Sequence, residues 1–314
     1  MDNIWGSMAQ YDPVVWNWVI AVYLFLAGLS AGSILLGIGL RWADKTPNDV
    51  VGEKPILKAA ALIAPVIICA GLACLILDLT KPFNFWMILI KYNFTSVMAL
   101  GVIALLIYNP LAFAYALIVF KDELNTLPVL PAIIEVIIGF RKLIEVLLFI
   151  MAFVVGIYTG FLLSAMNSYP MLNTAVLPAL FLFSALSAGA AANNLVSVSF
   201  FGAELDDKQT VTMHKLELPV ITLEILFIIL IFVGLYFQGG TAVAAIASLV
   251  TGVWAKVFWV GVVAIGFGIP LFSLILPKSL RSSKFVAIIV ALCSLSGVLA
   301  LRHFILYAGQ NYIS

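Results

Sequence analysis

An all-α, polytopic membrane protein of eight transmembrane helices, arranged as two four-helix bundles, is the fold class this sequence predicts. Three observations predict it. Hydrophobic residues make up 64% of the 314-residue chain and charged residues 10%, a balance that no soluble core of this length requires. Apolar windows of about twenty residues, long enough to cross a hydrocarbon layer, recur along the chain. Lys and Arg collect in alternate connections between those windows, the mark of the cytoplasmic side.

The first window, Trp18–Leu40, follows the lightly charged residues 1–15, and Trp16 and Trp18 suit the aromatic belt of a membrane interface. It carries Tyr23 and a small-residue run in which Gly28 and Gly32 are spaced as GxxxG, so that two helix backbones can approach closely. No basic region with a short apolar core and cleavage site precedes it. The expectation is therefore that no signal peptide is removed and that the first helix itself directs insertion. The second window, Ile56–Leu77, contains Pro65 and runs straight into Asp78 within LILDLTKPFNFW, residues 75–86. The third, Ser96–Phe120, contains Pro110; the connection after it, KDELNTLPVLPAIIEVIIGFRK, is too apolar for a solvated linker, and an interfacial helix is expected at Ala132–Phe140. The fourth and fifth, Leu143–Ser164 and Val176–Phe200, carry Tyr158 and a second copy of the run LSAG. Leu186–Gly189 repeats Leu29–Gly32 at an interval of 157 residues. The sixth, Leu216–Tyr236, holds Glu217 and Glu224, the seventh, Val253–Leu276, holds Pro270, and the eighth, Phe285–Ala308, holds Arg302. Each of the three prolines is expected to kink its helix. Cys69, Cys74 and Cys293 fall inside apolar windows without CxxC spacing and read as small buried hydrophobes.

Twelve basic residues lie in or beside the connections 1–2, 3–4, 5–6 and 7–8: Arg41, Lys45, Lys54, Lys58, Lys121, Arg141, Lys142, Lys208, Lys215, Lys278, Arg281 and Lys284. The opposite side has Lys81 and Lys91 alone. Both termini are therefore expected outside, in the periplasm of a bacterial inner membrane, with Asp78 opening to that outer face. The LSAG repeat divides the chain into two like-oriented halves, residues 1–170 and 171–314. A formal net charge of +1 offers nothing to nucleic acid.

Counting inward at about 1.5 Å per residue puts Tyr23, Tyr158 and Arg302 roughly 8–10 Å below the outer surface, near the level reached from Asp78. Glu217 and Glu224, seven residues apart, share one helix face, with Glu224 near the middle of the bilayer and Glu217 beside His214 at the inner end. Taken singly, the tyrosines read as belt residues, Asp78 as a helix cap, Arg302 as a snorkelling side chain and Glu217 as a wetted edge residue. Glu224 is different: a carboxyl at mid-membrane depth must be protonated, paired or hydrated, and Arg302 is the expected partner. Together, two phenols, two carboxyls at different depths and an arginine are what proton-coupled redox chemistry on a quinone needs, because each quinone oxygen exchanges a proton as electrons move. Phe25, Phe83, Phe85, Trp86 and Phe161 are expected to form its apolar bed.

What this chain lacks is informative about the electrons. His214 and His303 are separated by about 25 Å of depth and cannot ligate one haem between them. No cysteine set suits an iron–sulfur cluster and no dinucleotide-binding glycine fingerprint is present. If quinone electrons are handled here, another subunit receives or supplies them.

The runs YLFLAGLSAGS (Tyr23–Ser33), LDLTKPFNFW (Leu77–Trp86) and YTGFLLS (Tyr158–Ser164), with the acidic sixth helix, resemble the NrfD/PsrC family, the membrane subunits of molybdenum-dependent respiratory reductases. The resemblance spans essentially the whole chain. It implies a menaquinol site at the outer face that serves anaerobic electron transport. Electrons would pass to a periplasmic four-cluster iron–sulfur subunit and on to a molybdopterin catalytic subunit, with proton translocation and dimerisation of the complex as open extensions. The family's functional positions fall on Tyr23, Asp78 and Tyr158 for the quinone, and on Glu217, Glu224 and Arg302. In some relatives the position of Tyr23 is a histidine and that of Glu217 an aspartate. Among family acceptors, which include polysulfide, thiosulfate, tetrathionate, nitrite and arsenate, the pattern is most like the polysulfide reductase anchors. Lys81 and Lys91 suit docking of the iron–sulfur subunit or plain solvation of a loop. Two rival readings are an ion-coupled secondary transporter, which repeated halves and buried charges also suit, and a haem-bearing anchor, which the histidine count disfavours.

Overall fold

The computed structural model describes residues 16–47, 51–79, 82–90, 94, 96–125, 130–205, 207–277, 280 and 283–310. Lys81, Lys91, Lys278 and Arg281 lie outside these residues. Eight helices are long and apolar enough to cross a membrane: α1 (Trp18–Ala43), α2 (Pro55–Leu77), α3 (Val97–Val119), α4 (Arg141–Ser164), α5 (Leu177–Phe200), α6 (Lys208–Gln238), α7 (Gly252–Ile275) and α8 (Lys284–Gln310). No strand occurs among the described residues. Large apolar side chains such as Leu77, Ile107, Phe153, Val233 and Leu292 stay exposed on the outside of the bundle, where only hydrocarbon would accept them.

The helix ends follow from local chemistry. Asn17 caps α1, its side-chain oxygen accepting the Val19 N–H at 2.9 Å. At the other end the Thr46 N–H returns to the Arg41 carbonyl and the Lys45 N–H to the Trp42 carbonyl, a Schellman closure. Its left-handed position, normally glycine, is occupied by Lys45 at φ 49°, which costs about 1–2 kcal/mol for a residue with a Cβ. α2 begins on Pro55, where the missing N–H costs nothing, and stops at Asp78. A 3₁₀ segment, Pro82–Leu89, then turns the chain toward α3.

Two boundaries differ from expectation. α6 starts eight residues before the apolar window, because Asp207 caps it by accepting the Gln209 N–H at 3.2 Å and the polar run that follows simply continues the helix. Within α7, residues Val257–Gly268 adopt a π-helix. Pro270 follows in the α-helical turn that closes α7, Ile269–Ile275. Pro65, Pro110 and also Pro219 sit inside continuous helices. The interfacial element is present as a helix at Leu130–Gly139.

α1 is the most enclosed helix and packs against α2, α4, α5 and α8; α3 lies on α2 and α4, α5 on α6 and α8, and α7 on α8. The two LSAG runs meet face to face. A methyl on Gly32 would enter the backbone of Ala185, and one on Gly189 would enter the backbone at Gly32 and Ser33. Ser33 and Asn193 lock this seam: the Ser33 hydroxyl donates to Asn193 Oδ1 at 2.6 Å and Asn193 Nδ2 donates to the Ser33 carbonyl at 3.0 Å. Gly266 and Gly297 make an equivalent close crossing between α7 and α8.

Candidate functional site

Tyr23 points inward from α1 and is 1% exposed. Its ring lies over Gly71 of α2, whose added Cβ would stand 3.6 Å from Tyr23 Cδ2. Tyr158, on α4, is within electrostatic reach of Tyr23. The Tyr158 ring fills the notch left by Gly101 of α3, and its hydroxyl donates a long hydrogen bond, 3.5 Å, to the Met98 carbonyl. Two phenols from different helices are thus lodged against two glycines.

Asp78 stands at the rim, about 9 Å farther out than Tyr23 by helical rise. It accepts a 2.7 Å hydrogen bond from Asn17 Nδ2. Because Asn17 also caps α1, this bond ties the end of α2, which Asp78 closes, to the N-terminal end of α1. No hydrogen bond joins Asp78 to either tyrosine among the described residues.

A cleft of about 360 Å³ opens between α2 and α3, and neither tyrosine nor Asp78 is among the residues that line it. Leu72 and Val102, neighbours in sequence of the two glycines, line it together with Leu75, Leu79 and Phe85. Of the five aromatics expected to form the apolar bed, Phe85 alone lines this cleft; Phe83, Trp86 and Phe161 are exposed elsewhere, and Phe25 packs beside Leu29 and Ile63. Aliphatic side chains of α2 and α3 supply the surface instead. Cys69 is exposed rather than buried, and lies 3.9 Å from Asn109 Oδ1 in the adjoining wall.

Arg302 and Glu224 are both fully buried. They interact through space, but no ion pair within 4 Å joins them, which corrects the expected pairing. The Arg302 guanidinium lies 3.6 Å over the Phe181 ring, and its Nη2 donates to the Phe181 carbonyl at 3.1 Å. Gly28 gives it room, since a Cβ there would stand 3.3 Å from Nη2. The Ser187 hydroxyl of α5 is close to the Glu224 carboxyl. Even so, neither Glu224 oxygen, nor Nε or Nη1 of Arg302, makes a hydrogen bond of ordinary geometry among the described residues. Buried ionisable groups left in this condition are costly, and are functional candidates for that reason.

Glu217 sits about 10 Å along α6 from Glu224 by helical rise. It accepts from Asn194 Nδ2 and pairs with His214 Nδ1, each at 3.3 Å. The six predicted residues therefore do not form one cluster. Tyr23 and Tyr158 come together, Asp78 lies above them, and Arg302, Glu224, then Glu217 follow inward.

Sequence reading missed Asn17, Gly71, Gly101, Phe181 and Asn194. Asn17 carried a legible signal, a capping residue immediately before an apolar window. The Asn193–Asn194 pair was equally visible as amides inside an apolar helix. For Gly71 and Gly101 there was no signal, since which ring a glycine admits depends on a different helix.

Comparison with known proteins agrees over the full length. Residues 6–314 match the protein family described as polysulphide reductase, NrfD. The sequence is 46% identical to the C subunit of polysulfide reductase from Wolinella succinogenes, over 100% of both proteins. It is 39% identical to the protein NrfD homolog of Haemophilus influenzae, over 95% of both. With protein NrfD of Escherichia coli the identity is 35%, over 97% of this protein and 98% of that one.

Proposed function

Because this chain belongs to the polysulphide reductase NrfD family of membrane subunits, we propose that it is the quinol-oxidising subunit of a respiratory reductase complex. Menaquinol is the proposed electron donor. Electrons leave toward a periplasmic iron–sulfur subunit and then a molybdopterin catalytic subunit, with polysulfide as the favoured acceptor. The protein sits in a bacterial inner membrane with both termini periplasmic, and residues 1–170 and 171–314 form its two halves.

The observation that carries this reading is the pair of buried phenols, Tyr23 and Tyr158, lodged against glycines of α2 and α3, the same two helices that form the apolar cleft, with Asp78 at the end of α2. A quinol supplies two electrons and two protons when it is oxidised. Tyr23 and Tyr158 suit the ring oxygens, since each phenol can donate and accept a hydrogen bond. Leu72, Leu75 and Val102 suit the isoprenoid tail. Asp78, partly open to the outer side and steadied by Asn17, receives protons leaving the site. Inward, Arg302 and Glu224 carry buried polar atoms without hydrogen-bond partners among the described residues, and Glu217 with His214 continues toward the opposite face. That succession supports a proton route across the membrane.

The test uses the assembled complex. Tyr23→Phe, Asp78→Asn and Tyr158→Phe should leave assembly intact and abolish quinol-driven acceptor reduction. A soluble dye that reduces the catalytic subunit directly should still drive it at the wild-type rate. Normal quinol turnover in all three variants would overturn the assignment.

A further inference from the structure

A second recess, of about 390 Å³, lies at the end of α1 and α4 opposite Asp78. Arg41, Lys45 and Lys142 line it, and the carboxylate beside them, Glu145, is already committed. Glu145 is buried between Arg41 and Arg141, accepting from Arg141 Nε at 2.9 Å and pairing with Arg41. Lys45 and Lys142 are both exposed, and neither has an ion-pair partner among the described residues. The nearby Asp44 is taken by Lys208 at 2.7 Å. The recess is therefore strongly and unevenly positive.

Its other walls are apolar. Trp42 lines it, stands partly exposed and packs on Phe149 with ring centroids 4.9 Å apart. Val146 faces the same opening, one helical turn from exposed Lys142. Cations above, and tryptophan and valine below, at the end of two membrane-spanning helices, match a molecule with an anionic head and hydrocarbon chains. A soluble anion would gain nothing from that lower wall. Lys45 adds a separate indication. It holds its charge at this recess from a left-handed position that glycine fills without strain.

We infer that this recess binds the phosphodiester headgroup of an anionic phospholipid, with Lys45 and Lys142 holding the phosphate and Trp42 and Val146 seating the first acyl carbons. Basic pockets between transmembrane helices recognise such headgroups in this way. The site is separate from the quinol reading and does not depend on it.

The test is titration of the purified full-length protein, in phosphatidylcholine nanodiscs, with phosphatidylglycerol, with bound lipid identified by native mass spectrometry. Phosphatidylglycerol should be retained in preference to phosphatidylcholine. Lys45→Gln and Lys142→Gln should each weaken it about fivefold, the loss expected of one basic residue at a membrane surface. Lys45→Arg should bind as wild type. Lys45→Gly is the discriminating variant: it relaxes the backbone, so thermal stability should hold or rise while lipid binding falls as in Lys45→Gln. Equal retention of the two lipids, or unchanged binding in Lys45→Gly and Lys142→Gln, would overturn the inference. Full displacement of the lipid by inorganic phosphate would overturn it too, by making this a soluble-anion site.

Discussion

Gly101→Ala tests whether the position of Tyr158 matters. The added methyl would fall within the van der Waals envelope of Tyr158 Cζ, Oη and Cε1. Carbon atoms settle at about 3.5–4.0 Å from one another, so the ring must swing away by roughly 2 Å. Its bond to the Met98 carbonyl, at 3.5 Å, is already at the limit and will not survive that displacement. A misplacement of about 1 Å in a reacting constellation costs about 10²-fold in rate, or about 2.7 kcal/mol of barrier. Folding should tolerate the change, because overpacking of about 1–3 kcal/mol is offset by about 1 kcal/mol gained when alanine replaces glycine in a helix. The assay is quinol-driven turnover of the assembled complex, with subunit co-purification as the control for integrity. A cycle read in thermal unfolding isolates the cause: in a Tyr158→Ala background the methyl has empty space to occupy, and the overpacking cost of Gly101→Ala should vanish. Wild-type turnover in Gly101→Ala, or an equal destabilisation by the methyl in the Tyr158→Ala background, would refute the reasoning.

Other substitutions probe the rest of the route and the scaffold. Glu224→Gln keeps the volume and removes the ionisable oxygen, so turnover should fall about 10²-fold with assembly unchanged, measured as proton-coupled quinol oxidation in liposomes. Asn17→Ala should cost about 1 kcal/mol through the lost α1 cap, read from thermal unfolding in detergent, and should release Asp78 from the hydrogen bond that tethers it. Glu145→Ala leaves Arg41 and Arg141 facing one another without their shared carboxylate, and should destabilise by about 3–5 kcal/mol, with loss of monodisperse protein on size exclusion. Gly32→Val should prevent folding, because its side chain would occupy the backbone of Ala185; a well-behaved Gly32→Val protein would mean that the α1–α5 seam is looser than described.

The spans were legible in the sequence because lipid imposes an average, roughly twenty apolar residues, that survives local detail. α1 begins at Trp18 as expected and α2 ends at Leu77. The start of α6 was not legible, since it depends on a cap rather than on hydropathy, and hydropathy is equally silent on the π-register of α7. The residues at the candidate site were legible by type and depth: an acid or arginine in hydrocarbon stands out. Their partners were not. Whether Arg302 meets Glu224 or the Phe181 carbonyl is decided by how α5 and α8 cross, and how Tyr158 is seated is decided by an absent side chain on α3.

The contact between the two LSAG runs has a mechanical consequence. Helices slide past one another when interdigitated side chains hop to a new register, but at Gly32 and Gly189 no side chain separates the backbones. The seam is pinned further by reciprocal Ser33–Asn193 bonds. It behaves as a keel, and any rocking of the two sides about it would first have to part these backbones and break both bonds. On the proton route proposed above, charge would move by hops between side chains along α6 and α8, past a seam that has no side chains to slide over one another.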